Sequence, residues 1–559
     1  MAHVAHLSPE IISGIMHYAT DANVTSYRQW KDQLPLLSVC QKWRAAAVPL
    51  VYRTVVFQSR SAGTKQEIKE EDIFNGNLDS TVVATNLSLM RAVGADRYVS
   101  KVAFSLFSLT HSNWLFASML LAHKQNTQIW ANVDSIWLSL NFDYCLGAFG
   151  VKTVVDTVDK DIASERLHLL ARFVRGCMPN VEDITLHSHA WNYTESKFFS
   201  RLMDLYAGQL KHIDSNAFTD LAAPTFSDNL THLTIICNRN SVQMLPKIPI
   251  GKLAYMKLVD VPANFSWSYF RNDDQTTGDI VFSELQTLSI NFKAGDEGTE
   301  TQEVLSRWRS PENNSGSVAK VRFPKLEGLK VSEMPEITDL RFDDAFPTHM
   351  QRLVFTNNVC SQDMFKDCPI TTVDRVYARL TPSSTHAVDG FYSCTNFLFG
   401  KLASTVFSYF VVDISSIRFR PEMTAWSSLL ELEIGGISNT DVLDLLLSAT
   451  SLISLYIKNA VCTKSAFDPS FDAKEWSKVS VQKVYISGQQ RSGAKDMFTN
   501  TAKNLLLRAR SLKGFYGMPS IVSTLKPFTA QFKEHCPHLS GIDMHSKYKP
   551  AVDLTALEM

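Results

Sequence analysis

A short apolar motif returns along most of this 559-residue chain and limits what it can fold into. The motif is apolar-x-x-apolar-x-apolar, which sets alternate apolar side chains on one face of a short strand. It occurs at Val99/Val102/Phe104, Val133/Ile136/Leu138, Val181/Ile184/Leu186, Leu230/Leu233/Ile235 and Leu253/Met256/Leu258. It continues at Leu285/Leu288/Ile290, Leu326/Leu329/Val331 and Met350/Leu353/Phe355. After a less clear stretch it resumes at Leu429/Leu432/Ile434, Leu452/Leu455/Ile457, Val481/Val484/Ile486 and Leu539/Ile542/Met544. The bare count proves nothing, because roughly 4% of positions would match by chance when about a third of residues are bulky and apolar. Context separates signal from noise. Several copies follow a Pro-containing approach, as in Cys177-Met178-Pro179-Asn180, Phe323-Pro324-Lys325, Phe346-Pro347-Thr348-His349 and Cys536-Pro537-His538. Cys368-Pro369-Ile370 has the approach with a poorer strand behind it. Proline between a helix end and a strand start is what a helix–loop–strand unit needs. Helical patterns stand between copies, at Leu167/Leu170/Val174, Phe198/Leu202/Leu205 and Val442/Leu445/Leu446/Ala449.

Successive copies commonly start 20 to 34 residues apart, and Asn141, Asn238 and Asn358 fall eight residues after a first apolar position. These features resemble leucine-rich repeats of the irregular, helix-containing kind, a solenoid in which each unit buries its neighbour's apolar face. The resemblance implies an α/β fold over residues 96–559. It is a curved stack with parallel strands on the concave face and helices or loops outside. The segment 295–317, rich in Gly, Glu, Asn and Ser, reads as a loop inserted between two repeats.

Residues 1–57 read as a separate helical domain. Ser8 is placed to cap a helix opened by Pro9 and Glu10, with Ile11, Ile12, Ile15 and Met16 clustered on it. A second helix runs through Leu36, Leu37, Val39, Cys40 and Trp43 to a stop at Pro49, before a strand-like Val51–Phe57. Residues 58–95 then form a polar linker and a connecting helix. Leu7-Ser8-Pro9-Glu10-Ile11-Ile12, the stretch Leu36 to Arg44 and Pro49-Leu50-Val51-Tyr52 together resemble an F-box. Ser8 replaces the first proline of that family's pattern, and the interval Tyr18–Gln33 is longer than usual. The resemblance implies docking to a Skp-type adaptor of a cullin–RING ubiquitin ligase. Leu7, Pro9, Ile11, Ile12, Ile15, Val39 and Trp43 would divide between the helical core and an adaptor-facing patch. The other reading is that these helices only cap the solenoid, as solenoids require.

Lys and Arg total 55 against 56 Asp and Glu, a net charge of -1, which argues against a nucleic-acid partner. Apolar runs such as Phe407 to Ile414 are too short to span a bilayer, and the start of the chain has no secretory pattern. Nine cysteines without a CxxC pair suit free thiols in a reducing, intracellular compartment, cytoplasmic or nuclear. No GxSxG, HExxH or EF-hand loop occurs. The Gly147–Thr153 stretch has the wrong spacing for a phosphate loop, and His187-Ser188-His189 near Asp183 reads as an exposed pair before a metal site. We expect no cofactor, no metal and no catalysis by this chain.

The residue between the second and third apolar positions points away from the buried face. In the final copies that residue is Glu433, Tyr456, Tyr485, Tyr516 and Asp543, a tyrosine stripe between carboxylates that could hold an unidentified protein substrate. Tyrosine also simply suits strands. The leading reading is therefore the substrate-recognition subunit of an SCF-type ubiquitin ligase. The alternatives are a repeat scaffold unconnected to ubiquitin and a β-solenoid polysaccharide-modifying enzyme.

Overall fold

In a computed structural model, the structure describes residues 8–20, 24–59, 83–106, 130–140, 168, 171–172, 174–188, 193–215, 226–237, 245–262, 265, 267–270, 279–293, 321–333, 346–358, 368–380, 402–411, 429–435, 450–458, 479–487, 502–503 and 505–544. The chain divides into two compact units, the first holding residues 1–259 and 269–276 and the second residues 260–268 and 277–559. Both are mixed α/β, and each is built around a mostly parallel sheet. Leu7, Asn141, Asn238, His189, Gly147–Thr153 and segment 295–317 lie outside the described residues.

Unit 1 opens with α1 (Pro9–Ala19), α2 (Tyr27–Gln33) and α3 (Gln41–Val51). Ser8 caps α1 by accepting a hydrogen bond from the Ile11 amide at 3.4 Å, with Pro9 in the first turn. Ser26 and Gln29 form a capping box on α2, which occupies the long interval between the expected helices. The second helix differs from expectation at both ends. Leu34–Ser38 is a 3-10 turn started by Pro35, Cys40 is extended, and α3 runs through Pro49 to Val51. Pro49 stands within the last turns of α3, and the amides of Tyr52 and Arg53 bond the carbonyls of Val48 and Leu50 at its end. Ile12, Met16, Ala47 and Val51 form the small core of these helices.

The sheet of unit 1 begins inside the segment read as helical domain. Its strands are β1 (Thr54–Ser59), β2 (Val83–Thr85), β3 (Lys101–Leu106), β4 (Ser135–Leu140), β5 (Asp183–Ser188), β6 (His212–Ser215), β7 (His232–Ile236) and β8 (Tyr255–Val261). Apart from β2, which pairs antiparallel with β1, the neighbours are parallel and in sequence order from β3 onward. Unit 2 repeats the arrangement with β10 (Thr287–Phe292), β12 (Gly328–Ser332), β13 (His349–Asn358), β14 (Thr372–Leu380), β15 (Ala403–Val411), β16 (Glu431–Gly435), β17 (Ser454–Lys458), β18 (Lys483–Ser487), β19 (Gly514–Gly517) and β20 (Ile542–Met544). Two short strands, β9 (Ile280–Val281) and β11 (Val321–Arg322), pair separately.

The motif residues align from strand to strand. Val102, Ile136, Ile184, Ile213, Leu233 and Met256 form one buried row of unit 1. Leu288, Leu329, Leu353, Val376, Leu432, Leu455, Val484, Phe515 and Ile542 form the corresponding buried row of unit 2, with Phe407 of β15 in backbone register between Val376 and Leu432. Burying each such side chain contributes about 1.5–3 kcal/mol before the cost of ordering the chain.

A second device repeats with the motif. The carbonyl that follows the first apolar residue accepts hydrogen bonds from two consecutive amides of the next strand's lead-in. Asp134 takes Glu182 and Asp183, Glu182 takes Lys211 and His212, and Lys211 takes Thr231 and His232. In unit 2 Leu430 takes Ile453 and Ser454, Ile453 takes Gln482 and Lys483, and Gln482 takes Lys513 and Gly514. Within each unit, every one of these repeats therefore locks the register of the next by the same backbone contacts, the behaviour expected of stacked repeats.

Candidate interaction surfaces

Of the seven residues expected on the helical domain, the structure describes six, all but Leu7, and these separate. Ile12 is 1% exposed and points into the core with Met16. Ile11 at 52%, Ile15 at 38% and Val39 at 52% exposure are open to solvent. Ile11 and Ile15 stand four positions apart and so share one strip of α1, while Val39 follows the 3-10 turn. Trp43 packs partly against the core, and its buried indole Nε1 has no hydrogen-bond partner among the described residues. Pro9 opens α1. Large exposed aliphatic side chains on so small a helical unit are informative in a way that scattered ones are not.

The same helices also hold the start of the sheet. The Trp30 indole donates to the Val51 carbonyl at 3.0 Å, and its ring lies 6.2 Å from that of Tyr52. The Tyr27 amide donates to the Gln58 side chain of β1 at 2.8 Å. Thus α2 covers β1 while α1 keeps a strip exposed.

The residues expected to form an outward row in unit 2 pair with one another from strand to strand. Glu433 pairs with Tyr456, Tyr456 with Tyr485, Tyr485 with Tyr516 and Tyr516 with Asp543. The Tyr485 and Tyr516 rings stack at 4.6 Å with 11° between planes, and Tyr456 meets Tyr485 at 6.2 Å and 58°. The stripe is not continuously open, however. Tyr456 is only 4% exposed, whereas Tyr485 and Tyr516 are half-buried and Asp543 is exposed. A ring inside a row has neighbours about 4.8 Å away on both sides, so tilting hides it where stacking leaves an edge free. Tyr516 lies over Gly514, where a Cβ would come within 3.0 Å of its ring. Burial, Tyr516 and the Glu431 carboxylate together raise the Tyr485 pKa above the ordinary phenol value.

Unit 1 carries an outward row that sequence reading missed. Lys101, Ser135, Asp183, His212, His232 and Tyr255 align in register from β3 to β8. The Ser135 hydroxyl donates to the Asp183 carboxylate at 3.1 Å. The His212 and His232 rings meet edge-on at 4.2 Å, and His232 stacks on Tyr255 at 5.8 Å. Burial raises the Asp183 pKa against the opposing pull of His212, and burial together with His212 lowers that of His232. The signal was a polar residue directly before the second apolar position, as in His212-Ile213 and His232-Leu233.

Among the described residues no group of three or more His, Cys, Asp or Glu could hold a metal ion. His187 is exposed beside Trp137 at 5.5 Å. Cys40, Cys177, Cys237, Cys368 and Cys536 form no disulfide, and burial pushes the Cys177 and Cys536 thiols up to about 11, which keeps them unreactive at neutral pH. No described helix is long and apolar enough to cross a membrane.

No protein-family model matches the chain, and no curated protein matches it. Among solved structures, an LRR protein of Leptospira interrogans is similar at a TM-score of 0.27 and 11% identity, over 81% of this chain and 91% of that one. The parallel sheets described above therefore rest on this chain's own register and hydrogen bonds.

Proposed function

We propose that this chain is a non-catalytic protein-interaction subunit of the leucine-rich-repeat type. Its N-terminal helices would dock a Skp-type adaptor of an SCF-type cullin–RING ubiquitin ligase, and its repeats would hold a protein substrate. One observation carries the adaptor half. Within a single small helical unit, Ile12 and Met16 close the core while Ile11, Ile15 and Val39 stay exposed. A helix pair that only capped the repeats would turn that strip inward. The F-box resemblance of Pro9 to Ile12 and Leu36 to Arg44 names the partner that fits it. The tyrosine row of unit 2 supports the substrate half, since stacked half-buried tyrosines offer large contact area at low entropic cost. An adaptor of this kind works inside the cell, without cofactor, nucleic acid or membrane.

The test is a pull-down of purified Skp-type adaptor by the full chain. Ile11→Asp with Ile15→Asp should weaken capture at least tenfold, about 1.4 kcal/mol, while leaving the thermal melt unchanged. Ile12→Asp is the wrong choice, because a buried carboxylate there would unfold the helices. Undiminished capture by the double variant would remove the ubiquitin-ligase reading. A second reading, a repeat scaffold unconnected to ubiquitin, draws on the cover that α2 gives β1. It predicts no adaptor capture by the unaltered chain.

A further inference from the structure

The stack of Tyr485 and Tyr516 ends on a carboxylate where a third ring would stand. Its ring separation of 4.6 Å matches the strand spacing of about 4.8 Å, so the stack runs across the sheet from β18 to β19. One spacing further, over β20, the residue in register with Tyr516 is Asp543. Two glycines set how these side chains lie. A Cβ on Gly514 would come 3.0 Å from Tyr516 Cε2 and 3.1 Å from its Oη, and a Cβ on Gly541 would come 3.3 Å from Asp543 Oδ2. Phenol and carboxylate therefore both recline toward the start of their strands, each over a position without a side chain. The Phe515 amide holds the two glycines side by side by donating to the Gly541 carbonyl at 3.3 Å. Among the described residues Tyr516 stacks with no ring but Tyr485, and the exposed Asp543 carboxylate has no ion pair or hydrogen bond. Lys483 and Lys513, the exposed cations near the start of β18 and β19, form no ion pair or cation–π contact among those residues either. Burial first, then Tyr516 and Glu431, raise the Tyr485 pKa, and the Glu431 share of that is a field favouring positive charge beside the rings.

The next place in the stack suits a group that is both planar and cationic. A guanidinium continues a ring stack face to face while its edge donates parallel hydrogen bonds to a carboxylate. We propose that this end of unit 2 docks an arginine side chain of the captured protein, its guanidinium stacked on Tyr516 and its edge paired with Asp543. This rests on the reading of the tyrosine row as the capture surface and narrows the substrate to one with an exposed arginine. A partner phenylalanine would extend the stack and leave Asp543 facing an apolar edge. A partner lysine would reach the carboxylate without stacking. Residues 545–559 of this chain contain Lys547 and Lys549 and no arginine, so they offer the charge without the plane.

The experiment offers the full chain immobilised 12-residue peptides that are alike except for one central Arg, Lys, Gln or Phe. Retention of the Arg peptide should exceed that of Lys by about threefold, and that of Gln and Phe by about tenfold. Asp543→Asn should cut retention of the Arg peptide by about fivefold and leave the Phe peptide unchanged. Tyr516→Leu should erase the preference for Arg over Lys while both still exceed Gln. Asp543 is exposed, so its variant decides the matter even where Tyr516→Leu fails to fold. Lys or Gln peptides retained as well as Arg, an Arg preference that survives Asp543→Asn, or no retained peptide at all overturns the proposal. So does Arg binding that appears only after Lys547→Gln with Lys549→Gln, because the chain's own terminus would then hold the site. Tyr485→Ser separates the two ideas. If it lowers retention of all four peptides alike and Asp543→Asn alters none, the capture reading stands and the arginine site falls. If Asp543→Asn and Tyr516→Leu act as expected and Tyr485→Ser does nothing, the arginine site stands and the wider row is not the capture surface.

Discussion

At the scale of single residues, His232 shows how a register position becomes a pH response. Its ring is flanked by those of His212 and Tyr255, and its Nδ1 lies 3.0 Å from the Thr231 hydroxyl. Burial and His212 hold its pKa below the ordinary imidazole value. The unfolded chain therefore binds a proton more readily than the folded one, so stability falls as pH drops below about 6.5. Asp183 works in the opposite sense at lower pH, because its pKa is raised above 3.8 and protonation there favours the folded state. Urea midpoints of the wild-type chain should fall between pH 7.5 and 5.5, and His232→Gln should flatten that change. An equal fall in the variant would show that the response comes from elsewhere. The sequence placed His232 directly before an apolar motif position but did not show what surrounds it. Its neighbours lie on other strands, at residues 212 and 255, and only the register brings them together. The exposed Ile11 and Ile15 were half-legible, since helical spacing gave their shared strip but not which strip faced the core.

At the scale of elements, the motif exposed most strands and hid others for one reason. Its third position faces the core, and bulk there is optional. Ser215 is fully buried in β6, Ala378 in β14, and Gly517 is buried in β19, so those strands break the apolar pattern while keeping its geometry. The start of the sheet was concealed differently. Residues 51–57 looked strand-like but were assigned to the helical domain, whereas β1 pairs in parallel with β3. Asn86 then acts as a surrogate strand residue on β1. Its Oδ1 accepts from the Val56 amide and its Nδ2 donates to the Thr54 carbonyl, both at 2.9 Å, and the residue is 1% exposed. Asn86→Ala would strand two buried backbone groups and should cost about 2 kcal/mol or more. Denaturant unfolding would report it, and a loss within about 0.5 kcal/mol would mean that water replaces the amide.

At the scale of the whole molecule, each repeat in unit 2 rests on its neighbours in the sheet. Stability in such a stack is a sum of unit and nearest-neighbour contributions. Val484 is fully buried, with Leu455 and Phe515 beside it in register. Val484→Ala should cost about 1–2 kcal/mol and speed amide exchange in β17, β18 and β19 first. Exchange in β3 to β5 should not change, and a uniform rise over the whole chain would show one cooperative block instead. The parallel strand order was legible because motif and proline approach recur together. The division into two units was not, since no change of composition marks residue 260. The doubly accepting carbonyls have a last consequence. Register is fixed where each strand begins, at positions such as Asp134, Glu182, Ile453 and Gln482, and owes nothing to the length of chain that leads there. The interval between β10 and β11, residues 293–320, can therefore lengthen or shorten over generations while the strands on either side stay in step. The fold is a ruler whose marks are cut in the backbone, and the spaces between them are open to evolutionary rewriting.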